Sequence, residues 1–170
     1  MADRSYSESA LVQFSERLTN SAAFGTLFRE GMDLVEETAA YLDGDGRTEA
    51  KALERAVSLT YATESMRLTT RLMQMASWLL LHRAVKEGEM TLIQANREKT
   101  KVKLSAADPG PDDMLEKLPT QLQDLIARSM SLQARVRRLD TTIHAPPAER
   151  TAIGNPLVPQ LNRLKAAFEQ

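Results

Sequence analysis

Apolar residues recur at helical spacing along most of this chain. The first stripe runs from residue 24 to residue 42 with spacings of three and four. Its members are Phe24, Phe28, Gly31, Val35, Thr38 and Leu42, widened by Leu27, Leu34 and Tyr41. Such a broad apolar side is typical of a helix that faces a core. A shorter run of apolar residues at helical spacing precedes it, at Leu11, Phe14 and Leu18. We therefore expect helices at about 8–18 and 22–42, which are either separate or joined through a kink.

A second stripe lies in the segment 48–87, which contains no proline and no glycine. Its members, at spacings of three and four, are Leu53, Val57, Tyr61, Glu64, Leu68, Leu72, Met75 and Leu79. Gly88 follows Lys86, and a glycine just after a basic last turn is a common helix stop. The pattern predicts one helix over 48–87, which at 1.5 Å per residue is roughly 60 Å long.

A third stripe has the spacing of a heptad seam and carries one serine. Its members are Leu118, Leu122, Leu125, Ser129, Leu132, Val136 and Leu139. It predicts a helix over 118–140, and the segment between the second and third helices can begin with a short helix. Beyond residue 140 several prolines forbid a long helix, so we expect 141–170 to be a flexible tail. A short amphipathic segment ends this tail and places on one face Leu157, Leu161, Leu164 and Phe168.

These elements predict an all-α fold, an antiparallel three-helix bundle with one very long central helix. Only five residues join the first two long helices, and helices with so short a connection are antiparallel neighbours. The length of 170 residues suits one domain, and 42% apolar with 26% charged residues is typical of a globular protein. We assign the bundle domain to 1–140 and the tail to 141–170.

The most apolar stretch, residues 67–85, reads RLTTRLMQMASWLLLHRAV. Only ten residues between Arg71 and His82 lack an ionisable group, half of the ~20 that a membrane-spanning helix needs. We therefore expect no membrane segment. Trp78, Leu81 and Val85 lie off the core stripe at spacings of three and four. We interpret them as a dimer interface, with packing against the N-terminal segment as the alternative.

The chain offers little chemistry for a reaction. It has no cysteine, which excludes disulfides, thiolate zinc sites and cysteine nucleophiles. Its two histidines are 62 positions apart, and no serine-nucleophile motif or glycine-rich phosphate loop is present. We predict no catalytic residues, no cofactor and no metal ligand. The first twelve residues lack the apolar core of a secretory signal, so we expect a cytoplasmic protein.

Positive charge is concentrated in one part of the chain. Residues 61–104 carry 8 Lys and Arg against 4 Asp and Glu, although the whole chain has a net charge of −1. Basic clusters at 97–103 and 134–140 raise the alternative of a nucleic-acid-associated regulator. Neither cluster contains the interleaved aromatic residues of a stacking platform, and a pI near 6.2 disfavours a nucleic-acid partner. A purely structural dimer is a further alternative.

The segment 59–104 resembles the RcdA family, the alphaproteobacterial regulators of CtrA degradation. The similarity lies in ESMRLTTRLMQMASWLLLHRAV followed by GE, and in the order of a long second helix, an acidic DD loop and a proline-rich tail. The resemblance implies a homodimeric helical bundle without catalytic or cofactor residues. It implies an adaptor that delivers cell-cycle regulators to the ATP-dependent protease ClpXP, with other adaptors, at the cell pole. The tail residues would then bind partners.

Overall fold

A computed structural model describes residues 22–99, 101 and 112–144 of the chain. The described part is built from helices, and no strand occurs in it, which confirms the predicted all-α class. The helices are α1 (Ala22–Asp43), α2 (Asp45–Lys51), α3 (Arg55–Lys86), α4 (Leu92–Lys99), α5 (Asp112–Leu115) and α6 (Thr120–His144). The predicted helix at 8–18 lies outside the described residues, as does the predicted tail beyond residue 144.

The first long helix, α1, buries one side of the predicted stripe. Its buried residues alternate at spacings of three and four: Phe24, Leu27, Gly31, Leu34, Thr38 and Tyr41. Phe28, Val35 and Leu42, on the other edge of the stripe, are half-buried and still pack against the core. The predicted helix at 22–42 is thus present, and its core-facing side is centred slightly to one side of the stripe drawn from the sequence.

The long central helix begins at Arg55, seven residues later than the sequence predicts. Residues 45–51 form the separate helix α2, and Glu54 has extended backbone angles of φ −58° and ψ 152° before α3 starts. No proline or glycine lies at this break, so its cause is tertiary. The break lets α2 pack beside two tyrosines of the core: Gly46 is buried against Tyr41 and Tyr61, and Tyr41 donates a hydrogen bond to Glu49.

The end of α3 follows the predicted stop signal. Gly88 has φ +76°, a left-handed conformation that glycine adopts without steric cost. The amide of Gly88 donates to the carbonyl of Val85, and that of Glu89 to the carbonyl of Ala84. These two bonds form a Schellman motif that satisfies the last carbonyls of the helix. The helix spans Arg55–Lys86, which is about 48 Å.

The long helices do not all run antiparallel. Phe24 of α1 contacts Trp78 of α3, while Tyr41 lies near Tyr61, so α1 and α3 run in opposite directions, as predicted. Arg71 of α3 bonds Ser129 of α6, and Trp78, seven residues further on, bonds Asp140. Because both partners advance together, α6 runs parallel to α3. The predicted antiparallel arrangement is wrong for this pair of helices.

The long connection between α3 and α6 explains their parallel direction. The 33 residues 87–119 carry the chain from the end of α3 back to its beginning. There Leu118 and Pro119, just before α6, share a groove with Ala52 and Leu53, just before α3. Part of this return is the helix α4, which packs on α3. It opens with a capping box, in which Thr91 Oγ1 accepts from the Gln94 amide and Gln94 Oε1 from the Thr91 amide.

Candidate interaction surface

The surroundings of Trp78 show that this residue belongs to the core of the chain. Its side chain is 1% exposed. One face stacks on His82 with ring centroids 3.9 Å apart, and Phe24 approaches at 6.3 Å in a tilted arrangement. His82 is also fully buried, and its Nδ1 donates to the Trp78 carbonyl at 2.9 Å. A ring enclosed in this way has almost no surface left to bury against a second chain.

Asp140 ties three helices together beside Trp78. The indole Nε1 of Trp78 donates to its carboxylate at 2.8 Å, and Lys99 Nζ of α4 lies 2.6 Å from the same carboxylate. The single carboxylate therefore joins α3, α4 and α6 at one end of the bundle. The sequence did not predict this link. Asp140 lies at the end of the third stripe, and its position in the sequence does not show that Trp78 and Lys99 will donate to it.

A second polar group lies deeper in the same bundle. Glu64 is 1% exposed and Arg71 is 4% exposed, although both carry charge. Arg67 donates to Glu64 at 2.6 Å, and Arg71 donates to Ser129 Oγ at 2.8 Å. Burial lowers the pKa of Arg71, and the nearby charge of Glu64 opposes that change. Ser129, the one polar member of the third stripe, is the hydrogen-bond acceptor that this guanidinium requires in the core.

The three residues predicted as a dimer interface fall into two groups. Trp78 is enclosed by its own chain, for the reasons above, and we withdraw it from the interface. Leu81 and Val85 are half-buried, and both line shallow grooves near the end of α3. Their place at an interface stays a prediction. The tail residues Leu157, Leu161, Leu164 and Phe168 lie outside the described part of the chain.

The side of α3 that points away from the core is apolar as well. Leu59 is 71% exposed, Met66 72%, Met73 66% and Leu80 52%. These four residues, which we name the exposed seam, recur every seven positions and so share one side of the helix. The period of seven is visible in the sequence, but it overlaps the longer core stripe. Each member of the exposed seam lies either two positions before a residue of the core stripe or one position after one.

Three cations of the basic clusters pair with carboxylates: Lys99, Lys101 and Arg135. Lys101 bonds Glu98 at 2.8 Å, and Lys99 bonds Asp140. On α6, Arg135 lies 2.6 Å from Glu30 and Arg128 lies 2.7 Å from Glu37. These ion pairs neutralise part of the positive charge that phosphate binding requires. The geometry therefore does not favour the nucleic-acid alternative.

Within 22–99, 101 and 112–144, no three His, Asp or Glu side chains gather closely enough to hold a metal ion. Among the helices of these same ranges, none has both the length and the apolar character that crossing a membrane requires.

Comparisons with known proteins agree with this architecture. A family model described as "Protein of unknown function (DUF1465)" matches residues 15–168. A solved structure, RcdA from Caulobacter crescentus CB15, is 49% identical and superposes with a TM-score of 0.64. The match covers 77% of this chain and 98% of that one. No curated protein matches the chain. The matched family model describes the RcdA family, and the chain belongs to that family.

Proposed function

We propose that this protein is a non-enzymatic adaptor that brings cell-cycle regulators to the ATP-dependent protease ClpXP, with CtrA as the expected cargo. The observation that carries the proposal is the 49% identity to RcdA over 98% of that chain. At this identity, interaction surfaces as well as the fold are commonly retained. We propose that the chain acts as a homodimer in the cytoplasm, at the cell pole, together with other adaptor proteins.

The described surface supports a binding role. The exposed seam leaves four large apolar side chains in water, and soluble proteins rarely expose contiguous apolar surface that binds nothing. Methionine forms two of the four positions, and its flexible thioether adapts to partners of different shape. The buried guanidinium of Arg71 has a structural partner in Ser129 and needs no substrate to explain it.

The tail would supply a second means of capture. A short motif on a flexible tether raises the effective concentration of its partner near the bundle. Leu157, Leu161, Leu164 and Phe168 are the residues we assign to this role. A truncation that tests it must keep residues 141–144, because these continue α6 and Ile143 is 4% exposed in the core. The appropriate variant therefore removes 145–170.

The proposal is tested with purified protease, cargo and adaptors in one reaction. We expect the full chain to increase the rate of ATP-dependent cargo degradation. The variant lacking 145–170 should unfold at the same temperature as the full chain and accelerate degradation less. A protease that degrades CtrA and other cell-cycle regulators at the same rate with and without the full chain would contradict the adaptor role.

A further inference from the structure

A second apolar surface lies where α3 ends and α4 begins. It is a groove of about 420 Å³, which we name the end groove, and its apolar lining comes from Val85, Met90, Leu92 and Ile93. Ile93 is 68% exposed, and the other three are half-buried. No residue of the exposed seam lines it. The volume lies in the range of pockets that enclose small ligands, so the groove suits a short segment with a few apolar side chains.

The charge at the end groove favours a cation. Glu89 lines the groove and is exposed, and its carboxylate forms no ion pair with another residue of the described ranges. The neighbouring Glu87, by contrast, is already bonded to Arg83 at 2.8 Å. The groove also lies at the carboxyl end of α3, where the partial negative charge of a helix attracts a cation. A segment that combines apolar side chains with positive charge fits this groove best.

The chain itself contains a segment of this kind. Residues 157–168, which we name the tail segment, read LVPQLNRLKAAF. Four apolar residues recur in it at helical spacing, and Arg163 and Lys165 lie on either side of Leu164. The tail segment contains no acidic residue. Its pattern of apolar and positive side chains is therefore complementary to the end groove.

The path of α6 directs the chain toward the end groove. Asp140 of α6 bonds Trp78 of α3, and the two helices run parallel. His144, where α6 ends, is one turn past Asp140 and therefore lies level with the last turns of α3. Lys99, at the end of α4, bonds the same Asp140, and Leu92 begins α4 about 10 Å further along. The end of α6 and the end groove thus lie at the same end of the bundle.

The residues between α6 and the tail segment are long enough to join them. The twelve residues 145–156 reach up to about 40 Å when fully extended. A random chain of the same length has an average end-to-end distance of about 20 Å. Both values exceed the separation along the bundle, so the tail segment can occupy the end groove of its own chain without a strained connection.

We propose that the tail segment binds in the end groove of the same chain, with its apolar face on Val85 and Ile93 and a cation beside Glu89. This inference rests on the role that the proposed function gives to the tail, and it adds a regulation of that role. The residues that would capture a partner are the ones that fill the groove. The chain alone is therefore closed, and a partner of the tail must compete with the end groove.

A weak contact is sufficient for this regulation, because the tail segment is tethered. A short linker gives an effective concentration in the millimolar range. A contact with a dissociation constant of about 0.1 mM is then formed in about 90% of the molecules. Only about a tenth of the tails are free, so a partner binds about tenfold more weakly than it binds to an undocked tail.

NMR on the full chain measures the docking directly. Ala167→Cys provides a single site for a nitroxide spin label, since the chain has no cysteine. The label should broaden the amide signals of residues 85–94 much more than those of residues 55–62, at the other end of α3. Ile93→Lys removes apolar surface and repels the tail segment, so it should lower the ratio of docked to free tails about tenfold. Met66→Lys is the matched control, because Met66 is 72% exposed on the seam.

A charge exchange tests the contact with Glu89. Glu89→Lys should reduce the docked population about two- to fivefold, the small change expected of an exposed ion pair. Arg163→Glu/Lys165→Glu should reduce it similarly. The chain that carries all three substitutions should dock again, since the charges are then complementary in the opposite sense. Loss in both variants without recovery in the combined chain would overturn the assigned contact.

A mixed sample distinguishes the chain's own tail from that of a second copy. Spin-labelled chain at natural isotope abundance is added to ¹⁵N-labelled chain without the spin label, and we expect no broadening at residues 85–94. Broadening as strong as within one chain would overturn the closed form. Equal broadening at both ends of α3, or broadening that Ile93→Lys leaves unchanged, would overturn the end groove as the site. Loss of broadening in Met66→Lys would place the tail segment on the exposed seam instead.

The regulation is tested separately, in the degradation reaction. At a low adaptor concentration, Ile93→Lys should accelerate cargo degradation more than the unmodified chain does, because more of its tails are free. A variant that docks less and accelerates no more would overturn the autoinhibition. The NMR measurement needs the purified chain alone, so a chain that accelerates degradation without docking contradicts this inference and leaves the proposed function intact.

Discussion

The two sides of α3 differ in a way that hydrophobicity alone does not predict. The core side contains three ionisable residues, Glu64, Arg71 and His82, each less than 5% exposed. The opposite side carries large apolar residues that are mostly exposed, with Met66 at 72%. The side of α3 that contacts α1 and α6 is buried, whatever its hydrophobicity. Polar residues can lie on this side where another group forms a hydrogen bond or an ion pair with them. A charged residue in the core and an apolar stripe outside it thus occur on one helix.

The largest effect should come from removing Trp78. Trp78→Ala leaves a large cavity between Phe24 and His82 and removes a donor from Asp140, so it should lower the free energy of unfolding by about 3–5 kcal/mol. Urea denaturation measures this change. Leu80→Ala, two residues away and 52% exposed, is the control and should cost much less. An equal loss for both variants would contradict the contrast between the two sides.

Ser129→Ala should have the next largest effect. It leaves a donor of the buried Arg71 guanidinium without its acceptor, which costs about 1–3 kcal/mol. Ser131→Ala removes an exposed hydroxyl from the same helix and should change stability little. Replacing Arg71 by Met in the Ser129→Ala chain should recover part of the loss, because no unpaired charge then stays buried. If the double variant is less stable than Ser129→Ala, the cost lies in packing of the Arg71 stem.

The smallest effect should come from the surface pair between Glu37 and Arg128. The hydrogen bond from Arg128 lowers the pKa of Glu37. A lowered folded-state pKa stabilises the protein above the unfolded value, about 4.3, and this contribution is lost as the pH falls through the folded value. Both side chains are more than a third exposed, so it amounts to about 0.2–1 kcal/mol.

Titration of the Glu37 carboxylate by NMR measures this effect directly. Arg128→Gln should return the pKa of Glu37 toward its ordinary value. Arg135→Gln removes a cation from the same helix but not from Glu37, because Arg135 pairs with Glu30. A Glu37 titration that is the same in both variants would show that the pair has no influence in solution.

Much of the fold followed from apolar periodicity. Most buried residues of α1, α3 and α6 lie on the predicted stripes, because helical spacing and core burial have the same geometric origin. The end of α3 at Gly88 could also be predicted, because it depends on the backbone freedom of a single residue. These features need only short-range information, and the sequence contains it.

The features that were missed depend on distant parts of the chain. The break before Arg55 has no local breaker and follows from the packing of α2 near Tyr41 and Tyr61. The parallel direction of α6 depends on the path of the long connection after α3. Trp78 was assigned to an interface because its partners, Phe24 and Asp140, belong to α1 and α6. The spacing of apolar residues in α3 does not show where these two helices lie.

The exposed seam was missed for a different reason. Its period of seven is present in the sequence, but α3 has many apolar residues, and the sequence alone does not show that these four are exposed to water. Only when the core stripe is known to be buried does it become clear that the exposed seam lies outside the core. The sequence therefore predicted that α3 has a second apolar side, but it did not indicate the four residues of the exposed seam.

The most direct test compares Leu68 and Met66, two residues apart on opposite sides of α3. Leu68 is 0% exposed and Met66 is 72% exposed. The free energy of unfolding, measured by urea denaturation at a concentration where the chain is monomeric, should fall by about 2–5 kcal/mol in Leu68→Ala. It should change by less than about 0.5 kcal/mol in Met66→Ala. Equal losses in the two variants would contradict the division of α3 into a side that stabilises the fold and a side that is free to bind.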